Sequence, residues 1–122
     1  MTDMVLVSGG FDPLHVGHLR HLQAAAKLGE LTVALNSDAW LLSKKGYVFE
    51  PWEQRAEIIA AYDFVRFVVP FDDSDGTACE ALRGLKPDIF AKGGDRGPGN
   101  TPEATLCAEL GIEVVLTFRA EE

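Results

Sequence analysis

The chain has 122 residues, of which 47% are hydrophobic, so it is long enough for one domain with a modest buried core. Its formal net charge of −8 argues against nucleic-acid and anionic-membrane partners, because both favour clustered Lys and Arg. No apolar run approaches the ~20 residues that span a bilayer, and the N-terminus lacks a signal-peptide pattern, so a cytoplasmic location is expected.

Apolar runs and helical segments alternate from the beginning of the chain. The first half contains a strand over Met4–Val7, a helix from about Val16 to Leu28, a strand over Leu31–Leu35, a short helix over Ala39–Leu42 and a loop over Ser43–Glu50. Gly29 is expected to end the first helix in a left-handed conformation. Ser37 and Asp38 are expected to cap the second helix.

The second half continues the alternation. It contains a helix over Trp52–Tyr62, a strand over Phe64–Val69, a helix over Thr77–Leu82, a strand over Ile89–Ala91, a glycine-rich turn over Gly93–Gly99, a helix from Thr101-Pro102 to about Leu110 and a strand over Ile112–Thr117. Pro51 suits the first turn of its helix. Cys79 and Cys107 match no zinc or redox spacing, and we expect free, buried thiols in helices.

This order predicts an α/β fold, a Rossmann-like three-layer sandwich with a five-stranded parallel sheet. Nearly continuous apolar strands are typical of a sheet that helices cover on both faces. Ligands of such sheets bind beyond the carboxyl ends of the strands, at the switch point. The turns after strands one, two and four should therefore meet at one edge.

The turn after the first strand contains two histidines, His15 and His18, at the start of a helix. Residues three apart share one helix face, and the first backbone N–H groups of a helix have no partner within it. Free donors and the helix dipole both favour anions. The turn therefore indicates a phosphate site, such as one for a nucleoside triphosphate.

The segment Gly9-Gly-Phe-Asp-Pro-Leu-His-Val-Gly-His18 resembles the signature of the cytidylyltransferase-like nucleotidyltransferases, a His-x-Gly-His turn after the first strand. The likeness covers essentially the whole chain. Further motifs follow in the family's order and approximate spacing: Asn36-Ser-Asp38, Lys45-Gly46, Glu53-Gln-Arg55 and Lys92-Gly-Gly-Asp95. The last motif is similar to that of ADP-heptose synthases, and glycerol-phosphate cytidylyltransferases are the next closest pattern.

The resemblance implies an enzyme that joins a nucleoside triphosphate to a phosphorylated small metabolite, such as a sugar phosphate, and releases pyrophosphate. ATP is preferred over CTP because Lys92-Gly-Gly-Asp95 is of the heptose type. An acceptor phosphate is already ionised, so the reaction needs alignment and charge stabilisation rather than a general base. A Mg²⁺ ion, held mainly by the phosphates, is the expected cofactor. Homodimers are common in the family, but no residue here identifies an interface.

The resemblance also assigns site residues. His15, His18 and Lys45 are the catalytic candidates. The nucleotide-binding candidates are Gly10, Phe11, His15, Gly17, His18, Lys92, Gly93, Gly94, Asp95 and Arg119, with Gly17 expected to let the backbone approach the phosphates. The acceptor-binding candidates are Asp12, Asp38, Lys44 and Arg55, and Asp12 and Asp38 could also contact the metal.

Several of these residues have simpler interpretations. His15, His18 and His21 could bind a metal, but no further ligand is apparent, and His21 is expected on the helix surface. Arg55 could instead pair with Glu53 or Glu57 on an exposed helix face. Trp40 and Trp52 are interpreted as hydrophobic packing residues, although either could line an acceptor site. Asp72, Asp73 and Asp75 are expected to solvate a loop and cap a helix.

Three departures from the family pattern limit this interpretation. Family members continue past strand five into a Ser/Thr motif and a final helix, whereas this sequence ends at Glu122, just after Arg119. We therefore expect weaker triphosphate binding or lower activity. Tyr47-Val-Phe49 replaces an arginine-proline pair of the heptose-type enzymes. The segment after strand three is acidic, whereas the glycerol-phosphate enzymes carry an acceptor lysine there. Neither the heptose nor the glycerol acceptor can therefore be carried over to this chain. A nucleotide-binding module without turnover and a subunit of a heteromeric enzyme remain alternatives.

Overall fold

A computed structural model of the chain describes residues 2–93 and 101–117. In chain order these residues form β1 (Met4–Gly9), α1 (Val16–Ala26), β2 (Glu30–Leu35), α2 (Asp38–Lys45), α3 (Trp52–Ala60), β3 (Val65–Val69), α4 (Cys79–Leu85), β4 (Ile89–Lys92), α5 (Pro102–Leu110) and β5 (Glu113–Leu116). The five strands form one parallel sheet in the order β3-β2-β1-β4-β5. The predicted Rossmann-like fold is therefore confirmed.

The core consists of two layers, one on each side of this sheet. Val5 and Val7 of β1 point to the side that α1 and α3 cover, with Leu22 and Ile59 in the same cluster. Leu6, between them, points to the side covered by α4 and α5. The chain moves in one direction along the sheet from β1 to β3 and in the other from β4 to β5. Because all crossovers between parallel strands have the same hand, this reversal of direction places the connecting helices on opposite faces of the sheet.

This strand order places the switch point between β1 and β4, which pair directly. Residues that follow these two strands border the crevice where such sheets bind ligands. The turn that contains His15 and His18 follows β1, and Gly93 follows β4. The expected meeting of the turns at one sheet edge is thus a consequence of the observed topology.

The local prediction for Gly29 is wrong. Helix α1 ends at Ala26, and its C-cap, Lys27, has an ordinary right-handed conformation. Gly29 instead passes close to the N-terminal segment, where a Cβ atom would lie 2.3 Å from the carbonyl oxygen of Asp3. The position requires glycine because of a close approach between backbones and not because of a left-handed cap.

The loop predicted after the second helix is shorter than expected. Helix α2 continues through Lys44 and Lys45, and Gly46 ends it with φ of 83° in the left-handed region. The two lysines therefore have fixed and different directions on a helix. Three other boundaries moved slightly: α4 begins at Cys79 rather than Thr77 and ends at Leu85 rather than Leu82, and Pro51 is the N-cap of α3 rather than in its first turn.

Cys79 and Cys107 are free and buried, as predicted, in the layer formed by α4 and α5. Within the described part of the chain, no helix is long and apolar enough to cross a membrane.

Candidate active site

The two histidines of the turn after β1 cap helix α1 together. His15 is the N-cap residue, and its Nδ1 accepts a hydrogen bond of 3.0 Å from the backbone N–H of Gly17. Nδ1 of His18 accepts one of 3.2 Å from the backbone N–H of His15. This is the arrangement of a capping box, with two imidazoles in place of the usual side chains.

The cap determines which ring nitrogen of each histidine carries hydrogen. A ring nitrogen that accepts a hydrogen bond has no proton, so each neutral imidazole carries its hydrogen on Nε2. The rings are stacked, with centroids 3.8 Å apart and planes inclined by 20°. The site therefore presents two neighbouring Nε2–H donors, which is the chemistry that bound phosphate oxygens need.

The surroundings of His18 keep it neutral. Burial, together with the nearby His15 and His21, lowers the pKa of His18 to about 4. The ring of Phe11 meets that of His18 edge-on, with centroids 5.0 Å apart. Phe11 is itself buried and has φ of 49°, a rare conformation for a bulky side chain. The side chain of this predicted nucleotide-binding residue supports the histidine, and its role in binding stays a prediction.

The two glycines in this turn are required by neighbouring side chains. At Gly17, a Cβ atom would lie 2.9 Å from Cε1 of His15 and would displace the ring from its capping position. At Gly10, it would lie 2.8 Å from Cδ2 of Leu41 and 3.2 Å from Cζ3 of Trp40. Helix α2 therefore packs directly against the end of β1. Close approach of Gly17 to phosphates remains a prediction.

Lys45 lies beside the histidine turn because Asp12 holds it there. Its Nζ is 3.1 Å from Oδ2 of Asp12 and also donates to the carbonyl oxygen of Asp12. The carboxylate of Asp12 is inaccessible to solvent and accepts hydrogen bonds of 2.7 Å from the backbone N–H groups of Phe49 and Glu50. Burial alone would raise the pKa of Asp12, but these bonds and Lys45 lower it overall. Asp12 thus joins the histidine turn to the segment after α2.

Lys44 points elsewhere. Its Nζ lies 5.6 Å from the ring centroid of Trp40, in a groove between α2 and the segment after β3. The resemblance assigned Lys45 to catalysis and Lys44 to acceptor binding. The structure places Lys45 next to the histidine turn and Lys44 away from it.

Arg55 is completely buried, so pairing with Glu53 or Glu57 on an exposed helix face is wrong. Its guanidinium donates to the carbonyl oxygens of Glu50, Gly10 and Asn36 at 2.8–2.9 Å, and to Oδ1 of Asp38 at 2.5 Å. It therefore ties together the ends of β1 and β2 and the starts of α2 and α3. Asp38 remains partly exposed beside it, and acceptor binding by Arg55 and Asp38 stays a prediction.

Sequence reasoning missed the role of Asp73, which was expected to solvate a loop. Asp73 is buried, and its carboxylate accepts hydrogen bonds of 2.8–2.9 Å from the amide of Asn36 and from the backbone N–H and hydroxyl of Ser37. It anchors the start of α2 to the segment after β3. One feature could have indicated this contact: Ser37 follows β2 and Asp73 follows β3, and these strands are parallel neighbours whose ends lie at the same sheet edge. Asp75 accepts hydrogen bonds from the backbone N–H and hydroxyl of Thr77. The N-cap of α4 is Ala78, which has no side-chain cap, so the predicted capping role of Asp75 is wrong.

His21 is also placed differently from its prediction on the helix surface. It is buried, and its Nδ1 lies 2.7 Å from the hydroxyl of Thr117, just after β5. Thr117 in turn bonds to the carbonyl oxygen of Lys92 at the end of β4. His21 therefore connects α1 to the other side of the switch point.

The remaining nucleotide-binding candidates lie along the end of β4. Lys92 is the last residue of that strand, and Gly93 is exposed directly after it. Gly94, Asp95 and Arg119 lie outside the described residues, so their assignments stay predictions. Among residues 2–93 and 101–117, no group of three or more His, Cys, Asp or Glu side chains is arranged to hold a metal ion.

The fold and the site together define a class. A model of the cytidylyltransferase-like family matches residues 6–104, and the chain belongs to that family. Two similar curated proteins are bifunctional proteins HldE, one from Syntrophotalea carbinolica and one from Pelobacter propionicus. The first is 41% identical over 93% of this chain and the second 43% identical over 88% of it. The chain spans only 23% and 21% of the lengths of these relatives.

A solved structure supports the same assignment. The lipopolysaccharide core biosynthesis protein from Thermoplasma volcanium is 27% identical to this chain and superimposes with a TM-score of 0.76. The alignment covers 98% of this chain and 96% of the other. Membership of the family identifies the chain as a nucleotidyltransferase domain.

Proposed function

We propose that the chain transfers a nucleotidyl group from ATP or CTP, with ATP preferred, to a phosphorylated small metabolite such as a sugar phosphate. The paired Nε2–H donors of His15 and His18 at the start of α1 are the observation that carries this proposal. They lie at the switch point of a parallel sheet, where a triphosphate can meet both the donors and the helix N-terminus.

The reaction balances without a protein nucleophile. An oxygen of the acceptor phosphate forms a bond to the α-phosphorus, and the bond from that phosphorus to the β-phosphate oxygen breaks, so that pyrophosphate leaves. Because the acceptor oxygen is already ionised, the protein has no proton to remove. Its contribution is to align the reactants and stabilise the negative charge that spreads over the phosphates.

Each residue near the turn has a role that follows from its position. The two imidazoles donate hydrogen bonds to the α-phosphate and to the departing pyrophosphate. Lys45 supplies a positive charge on the same side, and Asp12 is a positioning residue that holds it there. The preference for ATP and a sugar phosphate rests on the resemblance of Lys92-Gly-Gly-Asp95 to the motif of ADP-heptose synthases, and the chain spans only 23% and 21% of the lengths of the two HldE relatives.

Magnesium is the proposed cofactor. An ion held mainly by phosphate oxygens would need few protein ligands, and Asp38, whose side chain is partly exposed beside Arg55, would be one of them. When bound, the ion would neutralise charge on the triphosphate.

The test is release of pyrophosphate by the full chain with a panel of nucleoside triphosphates and sugar phosphates. His18→Ala should lower kcat by roughly 10²- to 10³-fold, which is the usual cost of one lost donor at a developing negative charge. Arg20→Ala, on the exposed side of α1, is the matched control and should retain activity. Circular dichroism must show that both variants fold.

A folded protein that binds ATP or CTP by calorimetry but releases no pyrophosphate across the panel would overturn the proposal. That result would instead identify a nucleotide-binding module. Recovery of activity on addition of a second protein chain would identify a subunit of a heteromeric enzyme.

A further inference from the structure

The crevice at the switch point opens because the pairing of two neighbouring strands stops early. The last described pair between β1 and β4 joins Leu6 to Phe90. The pairing of β1 with β2 continues to Gly9, the last residue of β1, and that of β4 with β5 continues to Lys92. Beyond Leu6 and Phe90, strand pairing therefore does not fix the distance between the two sides of the crevice.

His21 bridges this opening from helix α1. Its Nδ1 lies 2.7 Å from the hydroxyl oxygen of Thr117, the residue that follows β5. Thr117 donates hydrogen bonds to the carbonyl oxygen of Lys92 from its hydroxyl, at 3.2 Å, and from its backbone N–H, at 2.9 Å. A chain of hydrogen bonds therefore joins α1 to the end of β4.

The helix that carries His21 also carries the histidine donors. His18 and His21 are three residues apart and share one face of α1. Because the helix is a rigid element, a change of distance at His21 also changes the distance between His18 and the end of β4. The predicted nucleotide-binding residues Lys92 and Gly93 lie at that end. The contact of His21 therefore affects the spacing of the two sides of the site.

Apolar packing also holds the two sides of the crevice together, but with less precision. Ala91 of β4 and Val115 of β5 pack in the same core layer as Leu22 of α1. Apolar attraction is non-directional, so one apolar surface can shift over another at little cost. A hydrogen bond weakens steeply away from its preferred distance and angle. The bond between His21 and Thr117 is therefore suited to define the width of the crevice at its rim.

We propose that His21 is a positioning residue for nucleotidyl transfer. Through Thr117, it holds the end of β4 at the distance from His15 and His18 at which one nucleoside triphosphate touches both sides of the crevice. This inference rests on the proposed function and adds to it a residue that acts through other groups. Alignment of the triphosphate with the histidine donors is a large part of catalysis when the protein supplies no nucleophile.

The variant His21→Phe keeps a ring at this position and removes the hydrogen bond. A triphosphate that touches both sides must then restore the spacing without the bond. The Kd for ATP or CTP should therefore rise roughly three- to tenfold, which is the contribution of one hydrogen bond. Inorganic pyrophosphate is short enough to stay at the histidine turn, so its Kd should not change. Calorimetry with the full chain measures these constants.

Turnover should be more sensitive than binding. The kcat for pyrophosphate release should fall by up to roughly 10²-fold in His21→Phe, which is the cost of misplacing a reacting group by about 1 Å. His21→Asn places an amide near the position of Nδ1 and should restore both kcat and the nucleotide Kd towards their wild-type values. A purely structural role would lower the urea midpoint but leave the ratio of the nucleotide and pyrophosphate Kd values unchanged.

Thr117 offers a second, independent variant. Thr117→Val removes the hydroxyl and should reproduce the effects of His21→Phe. Thr105→Val is the matched control, because it removes a hydroxyl from an exposed position of α5, and it should change neither constant. Combining His21→Phe with Thr117→Val should be no worse than either change alone, since both remove the same bond.

The outcomes separate this inference from the proposed function. Pyrophosphate release by the wild-type chain, with unchanged kcat and nucleotide Kd in folded His21→Phe and Thr117→Val, would overturn the inference and leave the function intact. Weaker nucleotide binding in both variants, without pyrophosphate release by the wild-type chain, would support the spacing role and contradict the proposed reaction. An equal weakening of pyrophosphate binding would show damage to the histidine turn and overturn the inference. A wild-type chain that binds neither ATP nor CTP would overturn both.

Discussion

The buried guanidinium of Arg55 should be the most sensitive polar position in this domain. It makes hydrogen bonds to three backbone carbonyl groups and to Asp38, and its side chain has no exposure to solvent. Replacement by lysine keeps the charge but concentrates the donors at one atom. An ammonium cannot reach carbonyl oxygens that lie on three sides of a planar group.

The expected cost follows from the groups left without partners. A buried carbonyl that loses its donor costs about 1–3 kcal/mol, and Arg55→Lys leaves about two of them unpaired. The loss is thus about 4 kcal/mol, within the range for breaking a buried ionic contact. A domain of this kind has about 5–15 kcal/mol in total, so the variant should still fold.

Urea unfolding followed by circular dichroism measures this loss. With a denaturant slope of about 1.5 kcal/mol per M, 4 kcal/mol lowers the midpoint by roughly 2–3 M. Arg83→Lys is the matched control, because Arg83 is half exposed and pairs with Glu80; it should move the midpoint by less than about 0.5 M. An Arg55→Lys midpoint as close to wild type as that of Arg83→Lys would refute the reasoning.

Three further predictions follow from single contacts. Gly29→Ala should lower the free energy of unfolding by about 2 kcal/mol, because the new Cβ atom has no room. Gly84→Ala, in open space within α4, should raise it by about 0.5–1 kcal/mol. Equal urea midpoints for the two variants would contradict both expectations. The lowered pKa values of His18 and His21 mean that the unfolded chain takes up protons near pH 6.5 before the folded one does. Stability should therefore fall from pH 6.5 towards about 4, and a flat series of urea midpoints would show that these rings are not shielded. Asp12→Asn should release Lys45 and lower kcat for pyrophosphate release by roughly tenfold or more, and an unchanged kcat would remove Asp12 from its positioning role.

The sequence was most informative where function depends on neighbouring residues. The spacing of His15 and His18 and the strand before them were sufficient to predict a phosphate site at a helix start, and the structure confirms that both histidines lie at the start of α1. Gly17 was also singled out from the sequence, although the structure gives it a different reason, the ring of His15. Local motifs are readable because their residues meet through backbone geometry alone.

The errors arose where residues far apart in sequence meet in space. His21 contacts a residue 96 positions away, and Arg55 contacts Gly10 at a separation of 45. His21 was interpreted as a surface residue, and surface pairing was the alternative interpretation of Arg55, because helix periodicity gives no information on what packs above a polar position. Asp73 was misread for the same reason, because Ser37 is its partner across 36 positions.

The sequence by itself determined the alternation of strands and helices, the parallel sheet and the histidine turn that defines the family. These features depend on apolar periodicity and on backbone donors at a helix start, which are properties of short segments. Only the tertiary structure decided which lysine lies beside the histidine turn, that Arg55 joins the strand ends, and that Trp40 packs against the turn at Gly10. Those arrangements depend on packing α2 against the ends of β1 and β2, and no local pattern encodes that contact.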